Sequence, residues 1–261
     1  MTAFKNPARE RLQKGELALG CGVRLARTVD IARMMATAGF DWLFVDMEHG
    51  SIGLDTAAQM AVAALDAGIA PIPRVPAGAF SLATRLLDSG AAGIVMPHVD
   101  TPDEARGIVD RLKYPPQGHR SVAGSMAQFG FAAVPLGEAT AIVNAETLLV
   151  VMIETPRAVE NAEAIAAVPG IDVLLIGTND LSMEHGIPGG LGDAKIAAAY
   201  ERVIGACKKH GKWAGMGGVY TEDLMRKYIA MGARFILGGN DFSFVLAAAG
   251  QRTKFLRGIA G

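Results

Sequence analysis

Short apolar runs alternate along this chain with amphipathic stretches that end in glycine. Leu148-Leu149-Val150-Val151-Met152-Ile153 and Val173-Leu174-Leu175-Ile176 are apolar at every position, the pattern of a strand covered on both faces in a parallel sheet. The intervening stretches close on Ala38-Gly39-Phe40, Ala67-Gly68-Ile69, Ser89-Gly90-Ala91, Val168-Pro169-Gly170, His210-Gly211 and Met231-Gly232-Ala233. In each, a left-handed glycine can stop a helix before the next strand starts. The beat predicts strands over 17–23, 42–46, 70–74, 93–97, 148–154, 173–177, 213–216 and 235–237.

Eight strand–helix units point to an α/β fold closed into a (β/α)₈ TIM barrel, one domain over residues 1–261. No GxGxxG follows any of the strands, as an open dinucleotide-binding sheet would require. Thr101-Pro102-Asp103-Glu104, Thr155-Pro156-Arg157 and Thr221-Glu222-Asp223 each place a capping hydroxyl before a helical first turn. Segment 114–147 breaks the rhythm with Pro115-Pro116, Gly118, Gly124 and Gly130. It is expected to form a functional loop over the barrel mouth, leading into further helix before the fifth strand.

Composition narrows the class. Hydrophobic residues make up 51% of the chain and aromatics only 6%, so the core must be aliphatic. The 25 Lys and Arg against 26 Asp and Glu are scattered without a basic block, which argues against nucleic acid as a partner. Residues 1–14 lack an apolar secretory core, and no apolar run approaches the roughly 20 residues of a membrane span. A soluble cytoplasmic protein with no membrane partner is expected. Cys21 and Cys207 lack the spacing of a zinc site or a disulfide framework.

In such a barrel the residues just after each strand converge on one mouth. Here they are Asp46-Met47-Glu48-His49 after the second strand, Arg74 after the third, Glu154 after the fifth and Gly177-Thr178-Asn179-Asp180 after the sixth. Glu154 and Asp180 would emerge one strand apart, an arrangement that suits a hard divalent cation: Mg²⁺, Mn²⁺ or Co²⁺. Each acid could instead only cap the helix that follows it. His49 offers a general base, with Asp46, Glu48 or Asp88 to orient its ring. Arg74 offers a planar fork for a carboxylate or enolate oxygen. The helix start at Gly177, Thr178, Asn179 and Asp180 offers backbone N–H groups to an anion. No lysine is expected inside the barrel, which disfavours Schiff-base chemistry.

The string Phe40-Asp41-Trp42-Leu43-Phe44-Val45-Asp46-Met47-Glu48-His49, with Ile153-Glu154-Thr155 and Ile176-Gly177-Thr178-Asn179-Asp180-Leu181-Ser182, resembles the HpcH/HpaI family of metal-dependent class II pyruvate aldolases. Pro73-Arg74, Leu86-Leu87-Asp88-Ser89-Gly90, Met96-Pro97 and Tyr114-Pro115-Pro116-Gln117-Gly118-His119-Arg120 extend the resemblance over nearly the whole chain. It implies reversible cleavage of a 4-hydroxy-2-oxo acid to pyruvate and an aldehyde through a pyruvate enolate held on the metal, with oxaloacetate decarboxylation as a side activity. It implies Glu154 and Asp180 as metal ligands, Arg74 on the enolate, His49 on the proton with Asp46 and Asp88 in support, and the amides of Asn179 and Asp180 on the pyruvate carboxylate. It also implies a homo-oligomer, commonly a hexamer, with a C-terminal helix within 241–258 packed on a neighbouring subunit.

The chain departs from the family pattern at Met152, where a Gln is familiar, at Cys21-Gly22-Val23, where some members carry a Trp, and at Gly50-Ser51, His119 and Ser121. These positions are expected near the aldehyde, so the resemblance leaves the acceptor open. Two other readings stand beside it. Gly217-Gly218 and Gly238-Gly239 would suit a phosphate-binding barrel lyase or isomerase, and a non-catalytic oligomeric binding protein could keep the same fold.

Overall fold

The computed structural model describes residues 4–259. Its frame is eight strands: β1 Ala18–Val23, β2 Trp42–Val45, β3 Ala70–Pro71, β4 Gly93–Met96, β5 Leu148–Ile153, β6 Val173–Gly177, β7 Trp213–Gly217 and β8 Phe235–Asn240. All ladders are parallel, in the order β3-β2-β1-β8-β7-β6-β5-β4. Between β3 and β4 the Ala92 N–H donates to Pro71 O at 2.7 Å and the Val95 N–H to Pro73 O at 2.9 Å. Those bonds join the two ends of the order, and the expected TIM barrel is what the sequence forms.

Strand β3 is the shortest, against an expectation of 70–74. Pro71 and Pro73 have no N–H to give to the ladder, so regular pairing stops at Pro71 and resumes only as isolated bridges from Arg74 to Asp46 and Val95. Strands β7 and β8 run further than expected, through Gly217 and Asn240.

Alternation along the strands divides the core in two. Leu148, Val150 and Met152 join Trp42, Phe44, Ile72, Val95, Val173, Leu175 and Phe235 inside the barrel. Leu149, Val151 and Ile153 join the cluster beneath the surrounding helices. Both faces are therefore buried, which is why β5 and β6 show no polar alternation. Trp42 stacks on Phe235 at 3.9 Å and fills the space above Gly20, where a Cβ would fall 2.1 Å from the indole.

The opposite end, at the strand N-termini, has a floor the sequence reading did not foresee. Helix Pro7–Gln13 is capped by the Asn6 side chain and sends Ala8 and Leu12 into the inner core beside Phe4. Asn6 Nδ2 also donates to Ala92 O at 2.8 Å and Glu146 O at 3.0 Å, so the chain start is tied across the barrel.

Segment 114–147 belongs to this floor, contrary to the expectation of a mouth loop. Helix Pro102–Leu112 runs back antiparallel to β4, so the chain is already at the strand N-termini when the segment begins. There Gln128 Nε2 donates to Leu87 O at 2.6 Å, and Asn144 holds the Tyr114 N–H and carbonyl. His119 pairs with Asp110. Within one chain, His119 and Ser121 therefore lie away from the mouth and its aldehyde side. Helix Leu136–Glu146 then leads into β5.

Helix Asp241–Ile259 extends from β8 with only Asp241 buried. It exposes Phe242, Val245, Leu246, Phe255 and Leu256. No described helix is long and apolar enough to cross a membrane.

Candidate active site

At the C-terminal ends of the strands a cavity of about 150 Å³ opens. Asp46, His49, Arg74 and the Gly177–Asp180 turn, all expected at the mouth, line it together. None of the described lysines does. Buried Lys113 is at the floor, its amine donating to Asn144 O and Thr147 O at 2.7 Å each, and Lys212 bonds Ile171 O at 2.7 Å.

Arg74 is the buried cation of the mouth, 7% exposed. Asp46 fixes it through a two-pronged contact, Nε to Oδ1 at 3.0 Å and Nη2 to Oδ2 at 2.7 Å, and the guanidinium lies 5.0 Å over the Phe44 ring. Burial alone would push the Asp46 carboxyl up. The Arg74 bonds and charge, with the N–H groups of His49 and Glu48, outweigh it and hold Asp46 below its ordinary value. Asp46 thus acts on Arg74 as well as on the turn that carries His49. The remaining guanidinium nitrogen, Nη1, lies 3.1 Å from Glu48 Oε2 and 3.9 Å from the Met152 sulfur. The Glu48 contact is an ion pair without an aligned hydrogen bond.

His49 is half exposed, with Nε2 3.8 Å from Glu48 Oε2. Arg24, a mouth residue the sequence reading passed over, donates Nη2 to His49 O at 2.7 Å and places Nε 3.3 Å from Asp46 Oδ2. The loop carrying Arg24 is held by Asp241, whose carboxylate accepts the N–H groups of Arg24, Leu25 and Ala26 at 2.7–3.1 Å.

Asp88 is not brought to His49 within one chain. It ends helix Phe80–Asp88, which runs back toward the floor, and there it accepts from Arg120 at 2.6 Å. Its expected role in orienting the imidazole has no support inside the single chain.

Glu154 follows β5 directly and is 1% exposed. Strand β5 pairs Ile153 with Ile176 of β6, which brings Gly177 beside it. A Cβ on Gly177 would fall 2.4 Å from Glu154 Oε1, so only glycine leaves that oxygen its space. Burial, with a smaller contribution from the Asp180 charge, pushes the Glu154 carboxyl up to about 7, against the opposing effects of His98 and Arg74. His98, also missed at sequence level, donates its backbone N–H to Oε2 at 3.0 Å, while Oε1 is buried with no partner.

Asp180 and Asn179 are exposed in the first turn of helix Thr178–Glu184. The Thr178 hydroxyl is buried against Tyr200 OH at 2.7 Å, so that side chain anchors the turn, and what it can offer a ligand is backbone. No group of three or more His, Cys, Asp or Glu suited to a metal occurs among the described residues. Asp46 and Glu48 are ion-paired with Arg74, which leaves Glu154 and Asp180 as the mouth carboxylates not paired with an arginine.

Residues 25–248 match the HpcH/HpaI aldolase/citrate lyase family. The chain belongs to that family. It is 37% identical over 253 residues to 4-hydroxy-4-methyl-2-oxoglutarate aldolase of Hapsidospora irregularis, covering 95% of this chain and 94% of the relative. It is 34% identical over 250 residues to 2-keto-3-deoxy-L-rhamnonate aldolase of Escherichia coli, covering 95% and 91%. Among solved structures, an HpcH/HpaI aldolase from Desulfitobacterium hafniense superposes with a TM-score of 0.90 at 30% identity, covering 95% of this chain and 96% of that one. The named relatives are aldolases, carbon–carbon lyases, and each aligns with 95% of this HpcH/HpaI member.

Proposed function

We propose that this protein is an aldolase that reversibly cleaves a 4-hydroxy-2-oxo acid to pyruvate and an aldehyde, with a divalent cation held by Glu154 and Asp180. The observation that carries the reading is Glu154 Oε1, an acceptor buried with no donor beside the exposed Asp180. A buried carboxylate oxygen without a partner is costly unless a proton or cation meets it, and hard oxygen donors suit Mg²⁺, Mn²⁺ or Co²⁺. When bound, such a cation polarises the substrate carbonyl.

The chain's own residues do the rest. In the cleavage direction His49 takes the proton of the 4-hydroxyl, the C3–C4 bond breaks, and its electron pair stays on the three-carbon fragment as an enolate. Arg74, preset by Asp46, stabilises the oxygen on which that charge collects. A proton delivered to C3 completes pyruvate. The first-turn N–H groups of Asn179 and Asp180 lack intrahelical partners and are assigned to the substrate carboxylate. Loss of carbon dioxide from oxaloacetate would leave the same enolate, which accounts for a decarboxylase side activity. The exposed apolar side chains of helix Asp241–Ile259 support a homo-oligomer, a hexamer on the family resemblance.

The alternative of a phosphate site at Gly217-Gly218 is weakened by packing. A Cβ on Gly218 would fall 2.8 Å from Asn179 Nδ2, so the glycine is needed whether or not phosphate binds. The deciding experiment follows the pyruvate methyl signal in D₂O with the protein and Mg²⁺, Mn²⁺ or Co²⁺. Exchange of the methyl protons is expected, and its absence with all three cations overturns the reading.

A further inference from the structure

The aldolase chemistry described above leaves His98 without a task, although it touches the carboxylate assigned to the cation. Its backbone is left-handed, with φ 53, a conformation that is uncommon for side-chain-bearing residues and enriched in Asn, Asp and His. That turn brings the His98 N–H back onto Glu154 Oε2 at 3.0 Å, and the ring Nδ1 lies 3.3 Å from the same oxygen. The other ring nitrogen, Nε2, stands 3.9 Å from Glu48 Oε1. The imidazole therefore spans the mouth between the chain ends of β2 and β5. One oxygen of Glu154 accepts the His98 N–H and has the ring beside it, and the other has no partner at all.

We propose that His98 is a positioning residue that makes Glu154 a one-oxygen ligand and so biases the mouth toward small octahedral cations over Ca²⁺. The inference rests on the cation-dependent aldolase reading. Ca²⁺ takes six to eight oxygens and gains from two-oxygen carboxylates, whereas Mg²⁺ asks for about six ligands in a strict octahedron. A carboxylate with one oxygen already bonded offers the second geometry and withholds the first. Residues that fix a ligand in this way typically contribute about 10- to 100-fold to metal affinity.

The test is calorimetric titration of the full chain with Mg²⁺ and Ca²⁺, for the wild type and for His98→Ala, His98→Gly and His98→Asn, with circular dichroism and thermal melting as controls of folding. His98→Gly and His98→Asn keep a backbone tolerant of the left-handed turn, so they remain informative if His98→Ala fails to fold. Mg²⁺ affinity is expected to fall about 10- to 100-fold in His98→Ala. It should fall less in His98→Gly, which adopts the left-handed turn freely and so keeps the N–H aimed at Oε2, whereas alanine retains that N–H but disfavours the turn. Ca²⁺ affinity should fall less than Mg²⁺ affinity in every variant, so the wild-type preference for Mg²⁺ narrows. A Mg²⁺-to-Ca²⁺ ratio that stays within about twofold of wild type in the folded variants overturns the inference alone. A wild-type chain that binds neither cation also overturns the inference, whereas the aldolase reading falls only if pyruvate proton exchange is absent with Mn²⁺ and Co²⁺ as well.

Discussion

Both ends of this barrel bury charge, and they handle it in opposite ways. At the floor, Lys113 is only 2% exposed, yet its amine donates to Asn144 O and Thr147 O and has Asp172 3.9 Å away. Arg120 is paired with Asp88. Polar atoms without partners do occur there, on Arg9, Arg120 and Thr147, but the two arginines already pair through other nitrogens and Thr147 carries no charge. At the mouth the unpartnered atoms are carboxylate oxygens: Glu48 Oε2 still has the Arg74 cation 3.1 Å away, whereas Glu154 Oε1 has no partner. A donor left over on a paired guanidinium is a modest cost of closing a barrel. A buried acceptor left over on an acid is a vacancy for a proton or a cation.

The comparison can be broken most directly at Glu154. Glu154→Gln should lower the rate of pyruvate proton exchange by about 10³-fold or more, the scale of losing a principal source of charge stabilisation. Its thermal stability without metal should hold or rise. A variant that exchanges at the wild-type rate would place the mouth and the floor in one class.

Arg74→Lys should reduce exchange by about 10²- to 10³-fold, with a smaller effect on cation affinity measured calorimetrically. A lysine cannot reproduce the paired bonds to Asp46, so it loses orientation as well as the fork. The floor should respond in the other sense. Lys113→Met strands two buried carbonyl oxygens and should cost about 2–4 kcal/mol in denaturant unfolding, while the folded fraction keeps its exchange rate.

The smallest effect is on pH. Glu154 sits at about 7 in the folded chain, above its ordinary value of 4.5. The folded metal-free protein therefore binds that proton more tightly than the unfolded chain does. The contribution of this group to stability is greatest at low pH and declines as pH rises between those two values. A cation must displace the same proton, so its affinity should rise up to about tenfold per pH unit below 7 and level off above it. Glu154→Gln should abolish both trends.

Much of the fold was legible because burial on both faces of a strand leaves an unbroken apolar run, as in β5 and β6. Strand β3 was harder, since Pro71 and Pro73 carry a strand's shape without its hydrogen bonds. The segment beginning at Tyr114 was placed at the wrong end because its prolines and glycines resemble a mouth loop. Only the direction of helix Pro102–Leu112 assigns it to the floor. The helix Pro7–Gln13 was hidden among charged residues whose two buried side chains, Ala8 and Leu12, are too few to give a periodic signal.

The mouth was legible where acids and bases follow strands, at Asp46, His49, Arg74, Glu154 and Asp180. The same positional rule applied after β4 and β1 would also have found His98 and Arg24. Asp88 ends its helix at the floor and pairs with Arg120 there, so within one chain nothing brings it to His49.

The seam between β1 and β8 joins segments from opposite ends of the sequence, with Ala18 beside Phe235. Asp241, one residue beyond that seam, is also what holds the loop of Arg24. During synthesis, then, the first strand must wait for the last before the ring can close, and closure of such distant contacts is slow. The mouth is consequently a late product of folding: a nascent chain that has made β2 through β6 already carries Arg74, Glu154 and Asp180, but the rim that frames them is completed only when the final strand arrives.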